Sequence, residues 1–133
     1  MSNFVAVAKT SELQPGEMTR VNVDRQPVLL ANVDGTFFAL LDRCGHQRAV
    51  LSKGRLEGDT VECPMHFSRF DVKTGRLIRG PDFMRLIRFS EALRWIGRLS
   101  KEPRVLLSPR YFWAEDVPSY EVRIEGDTVL VKV

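Results

Sequence analysis

The stretch DRCGHQRAVLSKGRLEGDTVECPMHFSRFDVKTG, residues 42–75, contains every cysteine and histidine of the chain. They stand in two short motifs, Cys44-Gly45-His46 and Cys63-Pro64-Met65-His66, with sixteen residues between them. Thiolate and neutral imidazole are good ligands for zinc, copper and iron. Two loops that each supply one Cys and one His can therefore close a four-ligand metal site.

The residue types alone leave the nature of this site open. A Cys2His2 zinc site is one alternative, although structural zinc sites usually group Cys with Cys and His with His, and often support domains too small for a core. This chain has 133 residues, 44% of them hydrophobic, and can bury a core without a metal. Four residues without any ligand are disfavoured because all of them lie together, and two thiols are weak evidence for a disulfide.

On both sides of the two motifs, short apolar segments alternate with turn signals. Residues 19–24 alternate with the period of two expected of a half-buried strand, and Asp34-Gly35 is a hairpin signal. Many short strands with regular turns predict an all-β fold, an antiparallel sandwich or barrel. The predicted strands are 4–8, 19–24, 28–32, 37–41, 60–62, 69–72, 76–78, 120–124 and 129–133.

One long segment, at about 82–117, interrupts this rhythm. An apolar stripe at three- and four-residue steps predicts an amphipathic helix over 83–99, with Asp82 as its N-cap. The ordinary role of such a stripe is to cover the core, and a platform for self-association or partner docking is the alternative. A membrane-surface role is the third interpretation. The stripe consists of Leu86, Phe89, Leu93 and Ile96.

Length and motifs exclude several function classes. The chain suits one domain, 1–133, and has no apolar run of the ~18–20 residues that cross a bilayer. We therefore expect no membrane span and a cytoplasmic location. Since no histidine is left for a 2-His-1-carboxylate iron site and no G-x-G-x-x-G loop is present, substrate chemistry and dinucleotide binding are expected on other proteins. The chain is predicted not to be an enzyme by itself.

Positive charge is concentrated around the two motifs. Residues 43–88 contain ten Lys or Arg and five Asp or Glu, a net charge of +5, whereas the whole chain carries +3. This stretch is either a solvated basic face or a docking face for an acidic partner. A nucleic acid partner is not expected, because aromatic side chains do not alternate with these charges as stacking platforms would.

The two motifs and their surroundings resemble the Rieske [2Fe–2S] family closely. Leu51 and Gly54 follow the first motif as in that family, and 70–75 resembles its phenylalanine–aspartate and threonine–glycine signature. Residues 120–131 resemble the closing hairpin of Rieske-type ferredoxins. The resemblance covers about 3–81 and 118–133. It implies an antiparallel β-sandwich or barrel with a small cluster-binding subdomain made of two loops.

The resemblance also implies the cofactor and its ligands. One [2Fe–2S] cluster would be held by Cys44 and Cys63 on the inner iron and by His46 and His66 on the outer iron. Two imidazoles in place of two thiolates make the cluster less negative and raise its potential above that of an all-cysteine ferredoxin. Ser68 matches a serine that can donate a hydrogen bond to a bridging sulfide.

Several positions depart from the Rieske subunits of quinol-oxidising complexes. Ala49 and Met65 occupy the positions of two extra cysteines that form a disulfide there, and Phe70 replaces a tyrosine whose hydroxyl bonds a cluster cysteine. With fewer hydrogen-bond donors around it, the reduced cluster is less stabilised. The reduction potential is therefore expected toward the lower end of the Rieske range. Arg48 and Phe67 replace two loop glycines that are common in the family, which affects the expected loop geometry.

The function implied is that of a soluble one-electron carrier, passing electrons from a flavin-dependent reductase to a terminal oxygenase or similar redox enzyme. The long segment at 82–117 favours an alternative, a redox-sensing or regulatory subunit that carries the same cluster, because a simple shuttle needs no added helix. A zinc-bound structural module is the third hypothesis.

Overall fold

The described residues form ten strands, all paired antiparallel. The computed structural model describes residues 3–44, 49–64, 67–80 and 115–133. The strands are β1 (Val5–Lys9), β2 (Met18–Val23), β3 (Gln26–Val33), β4 (Thr36–Leu41), β5 (Arg55–Glu57), β6 (Thr60–Glu62), β7 (Arg69–Asp71), β8 (Leu77–Arg79), β9 (Ser119–Glu125) and β10 (Thr128–Lys132). Short 3-10 turns occupy Thr10–Glu12 and Leu51–Lys53.

Six of the strands form the larger sheet, in the order β1-β10-β9-β4-β3-β2. The two edge strands, β1 and β2, contact each other, so the sheet curls into a nearly closed barrel. Hairpins join neighbouring strands, and the β3–β4 hairpin turns at Asp34 and Gly35, both with positive φ. We refer to this part, residues 3–44 and 115–133, as the barrel.

The other four strands form a smaller sheet in the order β5-β6-β7-β8. It is a meander of three-residue strands, in which Val61 on β6 lies opposite both Leu56 and Phe70. Each strand is too short for a sheet to be stable alone, so its apolar face must pack on other residues. We refer to residues 49–64 and 67–80 as the small subdomain.

Two buried clusters organise the interior. One fills the barrel and includes Val28, Leu30 and Val131. The second joins barrel strands to the small subdomain, because Leu29 and Leu40 pack there with residues of β6 and β7. Its members are Leu29, Ala31, Leu40, Cys44, Leu51, Val61, Cys63, Phe70, Val72 and Val117. The alternation of β3 explains this division, since successive side chains of a strand point to opposite faces.

The strands predicted from the sequence are confirmed, with boundaries that differ by at most two residues. The sequence analysis missed β5, which has only one part-buried apolar residue, Leu56, as a signal. It was wrong to place Asp24 in a strand. Asp24 and Arg25 both have positive φ, 50° and 69°, and form the tight turn between β2 and β3 without a glycine.

The predicted helix over 83–99 lies outside the described residues. Within the part of the chain that the structure does describe, no helix has the length and apolarity needed to cross a membrane. The described residues resume at 115, and residues 116 and 117 form hydrogen bonds with the small subdomain. The Leu77 amide donates to Asp116 Oδ1 at 2.8 Å, and the Val117 amide donates to the Gly75 carbonyl at 2.7 Å.

Gly75 is the close contact between the small subdomain and the returning chain. Its φ is +77°, and an added Cβ would overlap the carbonyl oxygen of Val117 and approach the Leu40 side chain. Val117 is buried, and the Leu41 amide donates to the neighbouring Pro118 carbonyl at 2.9 Å. The threonine–glycine turn is therefore glycine-dependent for two separate reasons, conformation and space.

Gly75→Ala is expected to destabilise the fold much more than Gly126→Ala. Gly126 has a similar φ of +62° but nothing within 4 Å of the added Cβ, so its substitution measures the conformational cost alone, about 1–2 kcal/mol. Gly75→Ala adds the overlap with Val117 and should cost about 2–5 kcal/mol. Urea unfolding followed by circular dichroism measures both. Equal losses in the two variants would contradict the close packing of Gly75.

Candidate functional site

One cysteine follows a barrel strand and the other follows a strand of the small subdomain, and both lie in one buried hydrophobic cluster. Cys44 is the third residue after β4, and Cys63 follows β6 directly. Cys44 is 6% exposed and Cys63 is fully buried, and both belong to the cluster that joins the two sheets. The structure thus brings together two thiols that are nineteen positions apart in the sequence.

The first motif belongs to a loop that is closed at its neck. The Cys44 amide donates to the Ala49 carbonyl at 2.9 Å, which brings the two ends of the intervening segment together. The chain then forms the 3-10 turn Leu51–Lys53, with Leu51 fully buried. Gly54 follows, where an added Cβ would overlap the Glu62 carbonyl oxygen. The absence of a side chain at Gly54 lets the first loop's exit pass directly against the residue before Cys63.

The second motif is closed in a similar way. The Cys63 amide donates to the Ser68 carbonyl at 2.8 Å, and the Phe67 amide donates to the Cys63 carbonyl at 3.1 Å. Phe67 has a φ of +64°, in the left-handed region that favours glycine. The sequence resemblance expects a glycine at this position, and the backbone of Phe67 adopts a glycine-like conformation. The Arg79 guanidinium donates to the Phe67 carbonyl at 3.4 Å.

Ser68 carries a buried hydroxyl that points to a missing acceptor. The residue is fully buried, and Ser68 Oγ has no hydrogen-bond partner among the described residues. A buried polar atom without a partner costs about 1–3 kcal/mol, so such an atom calls for an explanation. Ser68 lies five residues after Cys63, at the closed neck of the second loop. A ligand held between the two loops is a natural acceptor for this hydroxyl.

Phe70 is the largest fully buried side chain of the cluster that contains the cysteines. It lies on β7 opposite Val61 and has no hydroxyl to offer to either thiol. The Ala49 carbonyl accepts the Cys44 amide. The Phe70 side chain therefore contributes packing to this cluster and no hydrogen bond.

The structure describes three of the five residues predicted for the site, Cys44, Cys63 and Ser68. The two predicted histidine ligands, His46 and His66, lie outside the described residues. Sequence reasoning missed a buried carboxylate close to the first motif. Asp42 is fully buried and receives two hydrogen bonds from Ser52. The available signal was an aspartate two residues before Cys44, which is too weak to single out without a structure.

Comparisons of sequence identify a matching family and several relatives. Residues 3–90 match the model of the Rieske [2Fe-2S] domain. The ferredoxin component of biphenyl 2,3-dioxygenase from Rhodococcus jostii (strain RHA1) is 44% identical over 70 residues, which cover 53% of this chain and 65% of that protein. The biphenyl dioxygenase ferredoxin subunit of Pseudomonas sp. (strain KKS102) is 43% identical over 79 residues, 59% of this chain and 72% of that one.

Comparisons of structure agree. The ferredoxin of carbazole 1,9a-dioxygenase from Nocardioides aromaticivorans IC177 superposes with a TM-score of 0.70 at 25% identity, covering 97% of this chain and 96% of that one. A chain from the complex of reduced oxygenase and oxidized ferredoxin in carbazole 1,9a-dioxygenase gives 0.69 at 28% identity, covering 97% and 92%. With two buried cysteines in closed loops and a family model that spans two-thirds of its length, the chain belongs to the Rieske [2Fe-2S] family and carries one [2Fe–2S] cluster.

Proposed function

We propose that this chain is a one-electron carrier that passes electrons from a flavin-dependent reductase to a terminal oxygenase. The observation that carries the proposal is the pair of buried cysteines, with a buried and unpartnered Ser68 hydroxyl five residues after Cys63, in a chain similar to ferredoxin components of dioxygenases. The solved complex of an oxygenase with its ferredoxin supports the second half of the transfer. We further propose that the carrier works in the cytoplasm.

The residues present fit the cluster. We propose that Cys44 and Cys63 bind the inner iron as thiolates and that His46 and His66 bind the outer iron. Both cysteines are buried at the end of a packed core, which suits thiolates bound to a metal and screened from solvent. The Ser68 hydroxyl, which has no partner among the described residues, would donate to a sulfur of the cluster.

The chain's own residues determine how electron transfer proceeds. When bound, the cluster supplies a site that accepts and releases a single electron. The closed necks at Cys44 and Cys63 hold the thiolates in place, so little reorganisation accompanies the change in charge. Ser68 would stabilise the more negative, reduced state by hydrogen bonding, and the fully buried Phe70 would add no further donor.

Charge in the described residues is divided between the two parts of the chain. The small subdomain has six Lys or Arg and four Asp or Glu, a net of +2, while the barrel has six against ten, a net of −4. Three of the four acids are paired locally, in Arg69–Glu62, Arg69–Glu57 and Lys73–Asp59. Exposed Lys53, Arg55 and Arg76 have no carboxylate within 4.0 Å among the described residues.

This division supports a docking face for an acidic partner surface at the cluster end. A molecule with opposite net charges on its two parts is oriented in the field of a charged partner before contact. We propose that the small subdomain, through Lys53, Arg55 and Arg76, faces the oxygenase. Partner docking or self-association through the segment at 82–117 is a separate proposal, and covering of the core is its alternative.

Replacing a histidine ligand tests the ligand set. His66→Ala is expected to abolish the Rieske EPR signal of the reduced protein, since no other Cys or His exists to take its place. His46→Cys adds a negative thiolate, so any cluster that it retains should have a lower potential. Met65→Leu, a change in the same motif at a residue that is not a proposed ligand, is the control. A native signal in His66→Ala would show the assignment to be wrong.

Ser68→Ala is expected to lower the reduction potential without loss of the cluster. Removing a donor to a sulfur weakens the reduced state more than the oxidised one, and a difference of about 1 kcal/mol corresponds to a fall of roughly 40 mV. Spectroelectrochemical titration of the purified protein measures the shift. Ser119→Ala, at an exposed serine of β9, serves as the control. An unchanged potential in Ser68→Ala would mean that its hydroxyl does not bond the cluster.

Charge reversal on the small subdomain tests the function and the docking face together. The probe is a flavin-dependent reductase and a terminal oxygenase from the same genomic neighbourhood, with NADH consumption and oxygenated product as readouts. Arg55→Glu and Arg76→Glu are expected to slow transfer at low salt by about tenfold and to weaken its salt dependence. Lys9→Glu, an equal charge change on the barrel, should leave the rate nearly unchanged.

The outcomes separate the hypotheses. Turnover that requires the wild-type chain supports the carrier, whereas turnover that proceeds without it favours a redox-sensing or regulatory subunit. Equal effects of the Arg55 and Lys9 substitutions would count against the docking face alone and leave the carrier function standing.

A further inference from the structure

A buried carboxylate joins the two ends of the first loop through hydrogen bonds. Asp42 lies just after β4, two residues before Cys44, and its side chain is fully buried. The Ser52 amide donates to Asp42 Oδ1 at 2.7 Å, and the Ser52 hydroxyl donates to Asp42 Oδ2 at 2.6 Å. Ser52 comes after the loop, in the 3-10 turn that leads away from it. One side chain therefore joins the entry of the first loop to its exit.

The same carboxylate is tied to the barrel. Arg20 Nε on β2 lies 3.5 Å from Asp42 Oδ2, with the Arg20 side chain 44% exposed. The Asp42 amide donates to the Pro27 carbonyl at 2.9 Å, at the start of β3. A short chain of contacts, which we call the brace, thus runs from Arg20 through Asp42 to Ser52. It connects the edge of the barrel to the loop that holds Cys44.

Geometry alone does not require a charged residue in this place. An asparagine could accept from the Ser52 amide through its oxygen and donate to the Ser52 hydroxyl through its nitrogen. Taking a carboxylate out of water is costly, and Arg20 offsets that cost only in part because it is half-exposed. The negative charge is therefore unexplained by loop closure and stands two residues from a proposed ligand.

We propose that the brace both positions the first loop and sets the reduction potential of the cluster. A buried negative charge near the cluster disfavours the more negative, reduced state, and the Arg20 cation offsets part of this effect. Asp42 thereby lowers the reduction potential and Arg20 raises it, while Ser52 holds the first loop in place. The inference rests on Cys44 as a ligand and does not depend on which enzymes exchange electrons with the chain.

The test compares the potentials of loaded variants. Asp42→Asn keeps the hydrogen-bonding shape and removes the charge, so the equilibrium constant for reduction is expected to rise by roughly three- to tenfold. Arg20→Gln leaves the carboxylate without its cation, so the constant should fall, and Arg20→Lys should restore it. Spectroelectrochemistry gives the potentials, and the visible and EPR spectra report cluster content.

Opposite shifts in Asp42→Asn and Arg20→Gln support the proposal, because a purely structural brace would not produce them. Shifts of the same sign, or no shift in either variant, overturn it. If Asp42→Asn does not fold, the two Arg20 variants decide, because Arg20 is half-exposed on an edge strand. A lower equilibrium constant for reduction in Arg20→Gln, restored in Arg20→Lys, supports the proposal. An unchanged constant in Arg20→Gln overturns it.

The positioning role has its own readout. Ser52→Ala leaves both charges in place and removes one hydrogen bond to Asp42, so the cluster is expected to be lost several-fold faster on warming, with a smaller change in potential than in Asp42→Asn. Ser52→Thr, which keeps the hydroxyl, should restore the lifetime. An unaltered lifetime in Ser52→Ala overturns the positioning role. Absence of a cluster in the wild-type protein would instead be a failure of the proposed function.

Discussion

The structure depends on one packed interior that contains both cysteines. Cys44 and Cys63 come from different sheets, yet they belong to the same buried cluster as Leu40 of the barrel and Phe70 of the small subdomain. Three-residue strands cannot hold a metal ligand in place unaided. Their position is set by burial against the barrel, where close packing transmits any displacement to the neighbours. The two proposed cysteine ligands and the packed core therefore depend on the same neighbouring side chains.

The loops add constraints that apolar packing cannot supply. Each motif is closed by a hydrogen bond from a cysteine amide, to Ala49 in the first loop and to Ser68 in the second. Gly54 and Gly75 have no side chain at two points where backbones meet. The two amide hydrogen bonds close each loop, Gly54 lets the first loop's exit pass against Glu62, and Gly75 lets the returning chain pack at Val117. The apolar core supplies most of the stability, and the polar contacts make the arrangement specific.

Polar and charged groups of the described residues form three sets. Ser68 has a buried hydroxyl five residues after Cys63, the Arg20–Asp42–Ser52 brace joins the two ends of the first loop, and the net positive small subdomain contrasts with the net negative barrel. Nearby donors act on the potential, because they distinguish between the two oxidation states. Distant surface charges act mainly on encounter with a partner, since solvent and salt screen them. The same chain can therefore tune the energy of the electron and the rate of its transfer by separate residues.

The sequence by itself determined the chemistry and most of the strands. Two Cys and two His in motifs sixteen residues apart leave few alternatives for the ligands, and period-two alternation with glycine turns is a local signal that short-range sterics produce. Only the tertiary structure revealed the Asp24–Arg25 turn, β5 and the Asp42–Ser52 contact. These features depend on neighbours that are remote in the chain: β5 exists because β6 pairs with it, and Asp42 is informative because it is buried. Burial is a property of the assembled molecule, and no local pattern of residues specifies it.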